Sequence, residues 1–126
     1  MSQINCVLVS IADGATGACW TNLKDVREYA EEKLRIKGVK IFGENRKLEP
    51  RKDYVLEIGV NAARLYQDGS GPCVGVARVS LYTVAFIEGK KHLAEIAWHS
   101  SINAEKQNFN RHAIEVTAEL IGKLQR

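Results

Sequence analysis

Three cysteines, three histidines and a serine between two glycines are the residues of this 126-residue chain whose types suit nucleophilic or metal chemistry. Cys19 stands just before a helix start, where backbone amides favour a thiolate, but a nucleophile also needs a positioned base. No histidine is spaced to supply one, so a bridged or inert thiol is the plainer reading. His92 and His99 begin and end one expected strand, which sets them on opposite faces, and His112 opens the last helix. Metal sites want two or three converging ligands, and this spacing supplies none; all three read as surface histidines. Ser70, in Asp68-Gly69-Ser70-Gly71-Pro72, lacks the Gly-x-Ser-x-Gly pattern and its strand-to-helix setting, and reads as a turn. Gly14 and Gly17 precede a helix as glycines do in phosphate loops, yet the lysine-serine/threonine ending and the dinucleotide spacing are both missing. No catalytic residue, cofactor or metal ligand is expected.

Cys6, Cys19 and Cys73 are odd in number and lack close-set pairs. Two states stay open: a Cys19–Cys73 bridge with Cys6 apart from it, or three reduced thiols in a cytoplasmic protein. Composition by itself leans to the second. Basic residues gather at Arg46, Lys47, Arg51 and Lys52 and again at Lys90 and Lys91. If these places meet at one end of a sheet, they form a rim for an anionic partner; otherwise they are solvated loops. A formal charge of +3 and a pI near 8.8 are mild, and no aromatic RNA-reading signature is present, so nucleic acid is not an expected partner. No apolar run approaches the roughly 20 residues of a membrane span. The apolar start, residues 6–12, has no basic lead-in and is short for a signal peptide.

These residues have to be positioned by a sheet. At 45% hydrophobic and 26% charged, the chain is an ordinary globular domain, residues 1–126, large enough for its own core. Residues 4–11 read as a strand and the glycine-rich stretch after them as a loop. Thr21-Asn22 suits a helix cap, Leu23, Val26, Ala30 and Leu34 recur at three and four, and Gly38 suits the stop, so a helix is predicted over 23–37. Residues 39–43 form a brief strand, and 44–52 a charged connection with Pro50. Long strands follow over 53–66, 73–88 and 93–99, turning at 67–72 and at Glu88-Gly89-Lys90-Lys91. Tyr54, Leu56, Ile58 and Val60 share one face, as do Ala77, Val79 and Leu81. Residues 100–108 read as a polar connection. Ala113, Thr117, Leu120, Ile121 and Leu124 mark a closing amphipathic helix. The order β-α-β-β-β-β-α predicts an α+β fold, one mixed or antiparallel sheet with two helices on one face. Trp98 packs in the core or marks an interaction surface; the pattern leaves both open.

One arrangement of motifs is familiar. A cysteine precedes the helix carrying Leu23, Val26 and Glu32-Lys33-Leu34-Arg35, closed by Lys37-Gly38-Val39-Lys40-Ile41; a long strand pair then carries Cys73, followed by Trp98 and the amphipathic helix. Over residues 19–124 this resembles a group of small, mostly uncharacterised bacterial exported proteins. Their domain is similar to the anticodon-binding-like fold of TolB N-terminal, curli-secretion and penicillin-binding-protein activator domains. The resemblance implies a periplasmic or secreted protein whose signal peptide does not appear in this sequence, and a Cys19–Cys73 disulfide. It also implies a protein-binding or assembly module without catalytic residues, and it carries no functional residue over. The expected partner is another protein, or a second copy, through a sheet edge or the open sheet face. The rival is a cytoplasmic enzyme or ligand-binding protein with a pocket between helix and sheet, using Cys19, His99 or His112.

Overall fold

The computed structural model describes residues 6–43, 48–49 and 53–124. Within them the chain runs β1 (Cys6–Ala15), α1 (Leu23–Ile36), β2 (Lys40–Ile41), β3 (Asp53–Arg64), β4 (Cys73–Ile87), β5 (Lys90–Glu105) and α2 (Asn110–Lys123). The predicted order holds. The five strands form one mixed sheet in the order β2-β1-β3-β4-β5. β1 is parallel to both β2 and β3, while β3, β4 and β5 form an antiparallel meander. Parallel neighbours need a crossover, and α1 is the crossover from β1 to β2.

Alternation along the central strands decides which face the helices cover. Tyr54, Leu56, Ile58 and Val60 of β3 and Ala77, Val79 and Leu81 of β4 point to one side with Val7 and Val9 of β1. Onto them pack Val26, Ala30 and Leu34 of α1 and Ala113, Val116, Leu120 and Ile121 of α2. Both helices also touch each other, so they share that face. Fully buried Phe109 fills the join, and its amide donates to the Cys19 carbonyl at 2.7 Å.

α1 ends one residue earlier than predicted, and Gly38 takes the left-handed φ of 84° that its place after the helix requires. The expected side-chain cap is absent. Asn22 Nδ2 instead donates to the Asn110 carbonyl at 3.2 Å, and Asn110 Nδ2 donates to Thr21 Oγ1 at 2.8 Å, which ties the two helix starts together. At the far end Lys37 Nζ donates to the Leu124 carbonyl. The β4–β5 hairpin turns on Glu88 and Gly89, both at positive φ (52° and 78°), the pair that a two-residue type I′ turn demands.

Two strands outrun their predicted ends. β1 continues through Asp13-Gly14, because β3 is long enough to pair with it as far as Ala15↔Ala62. β5 runs to Glu105 rather than stopping at His99, so residues 100–105 are strand and not connection. β5 also carries a register shift: Leu81 pairs with Ala97, but Tyr82 pairs with Glu95, leaving Ile96 as an extra residue. The bulge reverses the parity of everything before it. His92 and His99 therefore lie on the same face, opposite Ala85 and Val79, and not on opposite faces as strict alternation predicts.

Candidate functional site

Cys19 and Cys73 are joined in a disulfide with their Cα atoms 5.7 Å apart, and both are fully buried. Cys6 takes no part in it. The bridge removes Cys19 as a nucleophile. Beside it lies Arg64, which sequence reasoning did not single out. Its Nε donates to the Gly17 carbonyl at 2.9 Å, Nη1 to those of Gly71 and Lys106 at 3.2 Å, and Nη2 to that of Gln107 at 2.8 Å. One guanidinium thus fastens the β1–α1, β3–β4 and β5–α2 loops around the disulfide, a task its fan of donors suits. No local pattern announces it, since the four acceptors are backbone groups and three of them are more than 40 residues away in sequence.

The histidines do not converge, and among the described residues no three metal-ligating side chains cluster. His92 is exposed near the hairpin tip. His99 lines a 660 Å³ groove between β5 and α2 with Ser101, Glu115 and Glu119. His112 corrects the surface reading: it is buried at 5% exposure, with Nε2 2.6 Å from Glu105 Oε1 and 3.0 Å from the amide of Asn103. It faces inward because the first turn of α2 lies against the end of β5. Ser70 is a turn residue, its amide and hydroxyl both donating to Asp68 Oδ1. Those bonds hold the Asp68 carboxyl below its usual range. Gly14 belongs to β1, and the Gly17 carbonyl is taken by Arg64, so the two glycines form no phosphate cradle. Of the basic residues, Arg46, Lys47, Arg51 and Lys52 lie outside the described residues. Lys90 and Lys91 sit at the hairpin tip, and Lys91 Nζ donates to the Leu48 carbonyl at 3.0 Å.

What stands out instead is the sheet face away from the helices. Its middle is polar: Glu57 of β3, Arg78 and Ser80 of β4 and Glu95 of β5. Arg78 Nε donates to Ser80 Oγ at 3.1 Å and Nη2 to Glu95 Oε1 at 2.6 Å, and the guanidinium lies 4.7 Å from the centre of the Trp98 ring. Trp98 is 56% exposed while Trp20 is buried, so Trp98 does not pack in the core. Ile102 is 82% exposed, and Leu93, Ile96 and Val74 are exposed nearby, so the β5 side of the face is an apolar row. Toward β1 the face sinks into a depression of about 510 Å³ whose floor includes Ala12, Gly14 and Gly59. Small side chains make it.

Hydrogen bonds from Arg78 and then Ser80 hold the Glu95 carboxyl below the usual carboxylate range. The Arg78–Glu95 bond is therefore whole near neutral pH and is lost as pH falls through that lowered value. We expect Arg78→Met to move the Glu95 titration midpoint upward, read by carboxyl-carbon NMR, and to alter Trp98 emission in a Trp20→Phe background. An unmoved midpoint would contradict the pairing.

No family model matches the chain, and no curated protein matches it in sequence. Solved structures do. The PelC dodecamer from Paraburkholderia phytofirmans aligns with a TM-score of 0.51 and 18% identity, over 98% of this chain and 89% of that one. A point variant of the same dodecamer aligns at 0.50, also with 18% identity, over 97% and 88%. A minor lipoprotein from Acinetobacter baumannii aligns at 0.41 with 12% identity, over 95% and 88%. The likeness is one of fold. With the two PelC structures it spans nearly the whole chain.

Proposed function

We propose that this chain is a non-enzymatic protein-interaction and assembly module of the bacterial periplasm or cell envelope, working through β5 and the open sheet face. The observation that carries the reading is the long outer strand β5, whose open-face row of Leu93, Trp98 and Ile102 is exposed. Monomers seldom leave such a row uncovered beside an unpaired edge. Support for the compartment comes from the buried disulfide, a feature of oxidising surroundings. Support for assembly comes from PelC, a chain of similar fold that forms a dodecamer. The finer kinship with anticodon-binding-like domains belongs to the same reading. So does an acidic partner segment at the hairpin tip, where Lys90 and Lys91 would act with Arg46, Lys47, Arg51 and Lys52 of the connection.

The test is site-specific photo-crosslinking of the protein exported to the periplasm. A photoreactive residue at Trp98 is expected to yield a covalent adduct with a protein, whereas one at Glu32, on the exposed side of α1, is not. Equal adduct yields at both positions, or none at Trp98, would overturn the reading.

A further inference from the structure

The two outer edges of the sheet are guarded along part of their length only, and the unguarded parts match. The first part of β5 carries Lys90, Lys91, His92 and Glu95 and ends in the bulge at Ile96. Charges and bulges are what keep an edge from pairing with another strand. Residues 97–104 have neither. They read Ala-Trp-His-Ser-Ser-Ile-Asn-Ala, without Lys, Arg, Asp, Glu or Pro, and pair with β4 in unbroken register. At the other side of the sheet, β2 covers β1 only at Cys6 and Val7. Residues 8–15 have no strand on their outer side among the described residues, and Asp13 is the one charge in them.

The ladders show that these stretches stand at the same height. Ser10 pairs with Glu57, Glu57 with Ser80, and Ser80 with Trp98. Ala12 leads in the same way through Gly59 and Arg78 to Ser100, and Gly14 through Asn61 and Val76 to Ile102. The strands also run in the same direction, since β1 is parallel to β3 and the meander returns β5 to that sense. On the open face their sizes complement: Trp98, Ser100 and Ile102 on β5 stand level with Ser10, Ala12 and Gly14 on β1. Placed side by side, the indole meets a serine and the isoleucine meets a glycine. Large side chains would thus lie over the small-residue depression that begins at Ala12 and Gly14.

From this we propose that copies of the chain join head to tail, residues 97–104 of one copy adding as a parallel strand to residues 8–15 of the next. The proposal rests on reading β5 as the interaction surface and names its partner as a second copy. A foreign strand would account for one bare edge, but not for two edges that agree in height, direction and side-chain size. An eight-residue ladder is roughly 26 Å long. The contact covers exposed Trp98 and Ile102 as well, which adds apolar area toward the ~800 Å² per partner that a stable interface needs. Because the two surfaces differ, each copy keeps one of each kind open, so the contact propagates until a ring closes. Pairing of β5 with a second β5 would instead be antiparallel about a twofold axis and stop at two.

The test uses cysteines in a Cys6→Ser background that keeps the native bridge. Ser100→Cys is combined in turn with Leu8→Cys, Ser10→Cys or Ala12→Cys, covering the staggers a closing ring can impose, and the protein is mildly oxidised. One combination is expected to give a reducible ladder of dimer, trimer and higher species. The same two cysteines on separate chains, mixed, are expected to stop at dimers, and each single variant alone to remain monomeric on the gel. Dimers from Ser100→Cys alone would show β5 pairing with itself and overturn the proposal. Assemblies seen by light scattering without any β5–β1 cross-link would overturn it too, by placing the contact elsewhere. A monomer at every concentration would overturn it while leaving the broader reading to the Trp98 photo-crosslink, which would then capture a different protein.

Discussion

Replacing Cys73 by alanine is expected to lower the melting temperature by on the order of 15 °C. The bridge spans 54 positions, and closing a loop of that size removes denatured-state entropy corresponding to about 4 kcal/mol. A domain of this class has only about 5–15 kcal/mol in all, so the loss takes a large share of its stability. Both sulfurs are fully buried against Trp20 and Phe109 in one cluster, and the lost packing adds to the effect. The loops held by Arg64 should open first, since Arg64 and the bridge act on the same segments. Cys6→Ser, outside the bridge, is the control and should shift the midpoint far less. A calorimetric midpoint that moves only a few degrees for Cys73→Ala would contradict the assignment.

The second large effect falls on Gly75. A Cβ there would lie 2.6 Å from the Ala62 Cα and would also press on the Asn61 carbonyl oxygen, backbone atoms of the neighbouring strand that cannot swing away. Gly75→Ala should therefore cost about 3 kcal/mol, and Gly75→Val should leave little folded protein. Gly43→Ala, where a Cβ would meet nothing, should change almost nothing apart from chain entropy. The urea midpoints of the two alanine variants give the comparison. Equal midpoints would show that the strands separate there at no cost.

Much of the fold was legible because its signals are local. Leu23, Val26, Ala30 and Leu34 at helical spacing, with Gly38 behind them, mark α1 to within one residue. Tyr54, Leu56, Ile58 and Val60 alternate because one side of β3 meets the helices. Legibility ended where water replaces packing. Residues 100–105 look like a loop because they are polar, yet an edge strand that faces solvent tolerates Ser, Ser and Asn as readily as a loop does. Ile96 is apolar in a run of mixed residues, and nothing in it tells that it is the bulge that turns His92 to the side of His99. Trp98 was undecidable for a related reason: alternation sorts residues into two faces and does not say which face the helices cover. His112 was misjudged because its burial depends on the end of β5, seven residues upstream, lying across the first turn of α2. Arg64 left no trace at all, its partners being carbonyls on three loops.

The place of β1 inside the sheet has a consequence for how the chain comes to be folded. It is the first strand made, yet it is flanked by a two-residue neighbour and by β3, and its long parallel ladder begins only when Asp53 reaches Cys6. Until then a stretch of Val, Leu, Val and Ile has water and not β3 as its hydrogen-bonding partner on that side. β3, β4 and β5, by contrast, close through successive hairpins of short loop length, which form fast because little chain must be gathered. The meander should thus be the early structure and β1 the late arrival. In a cell, that interval is when the stretch is open to pairing with another chain.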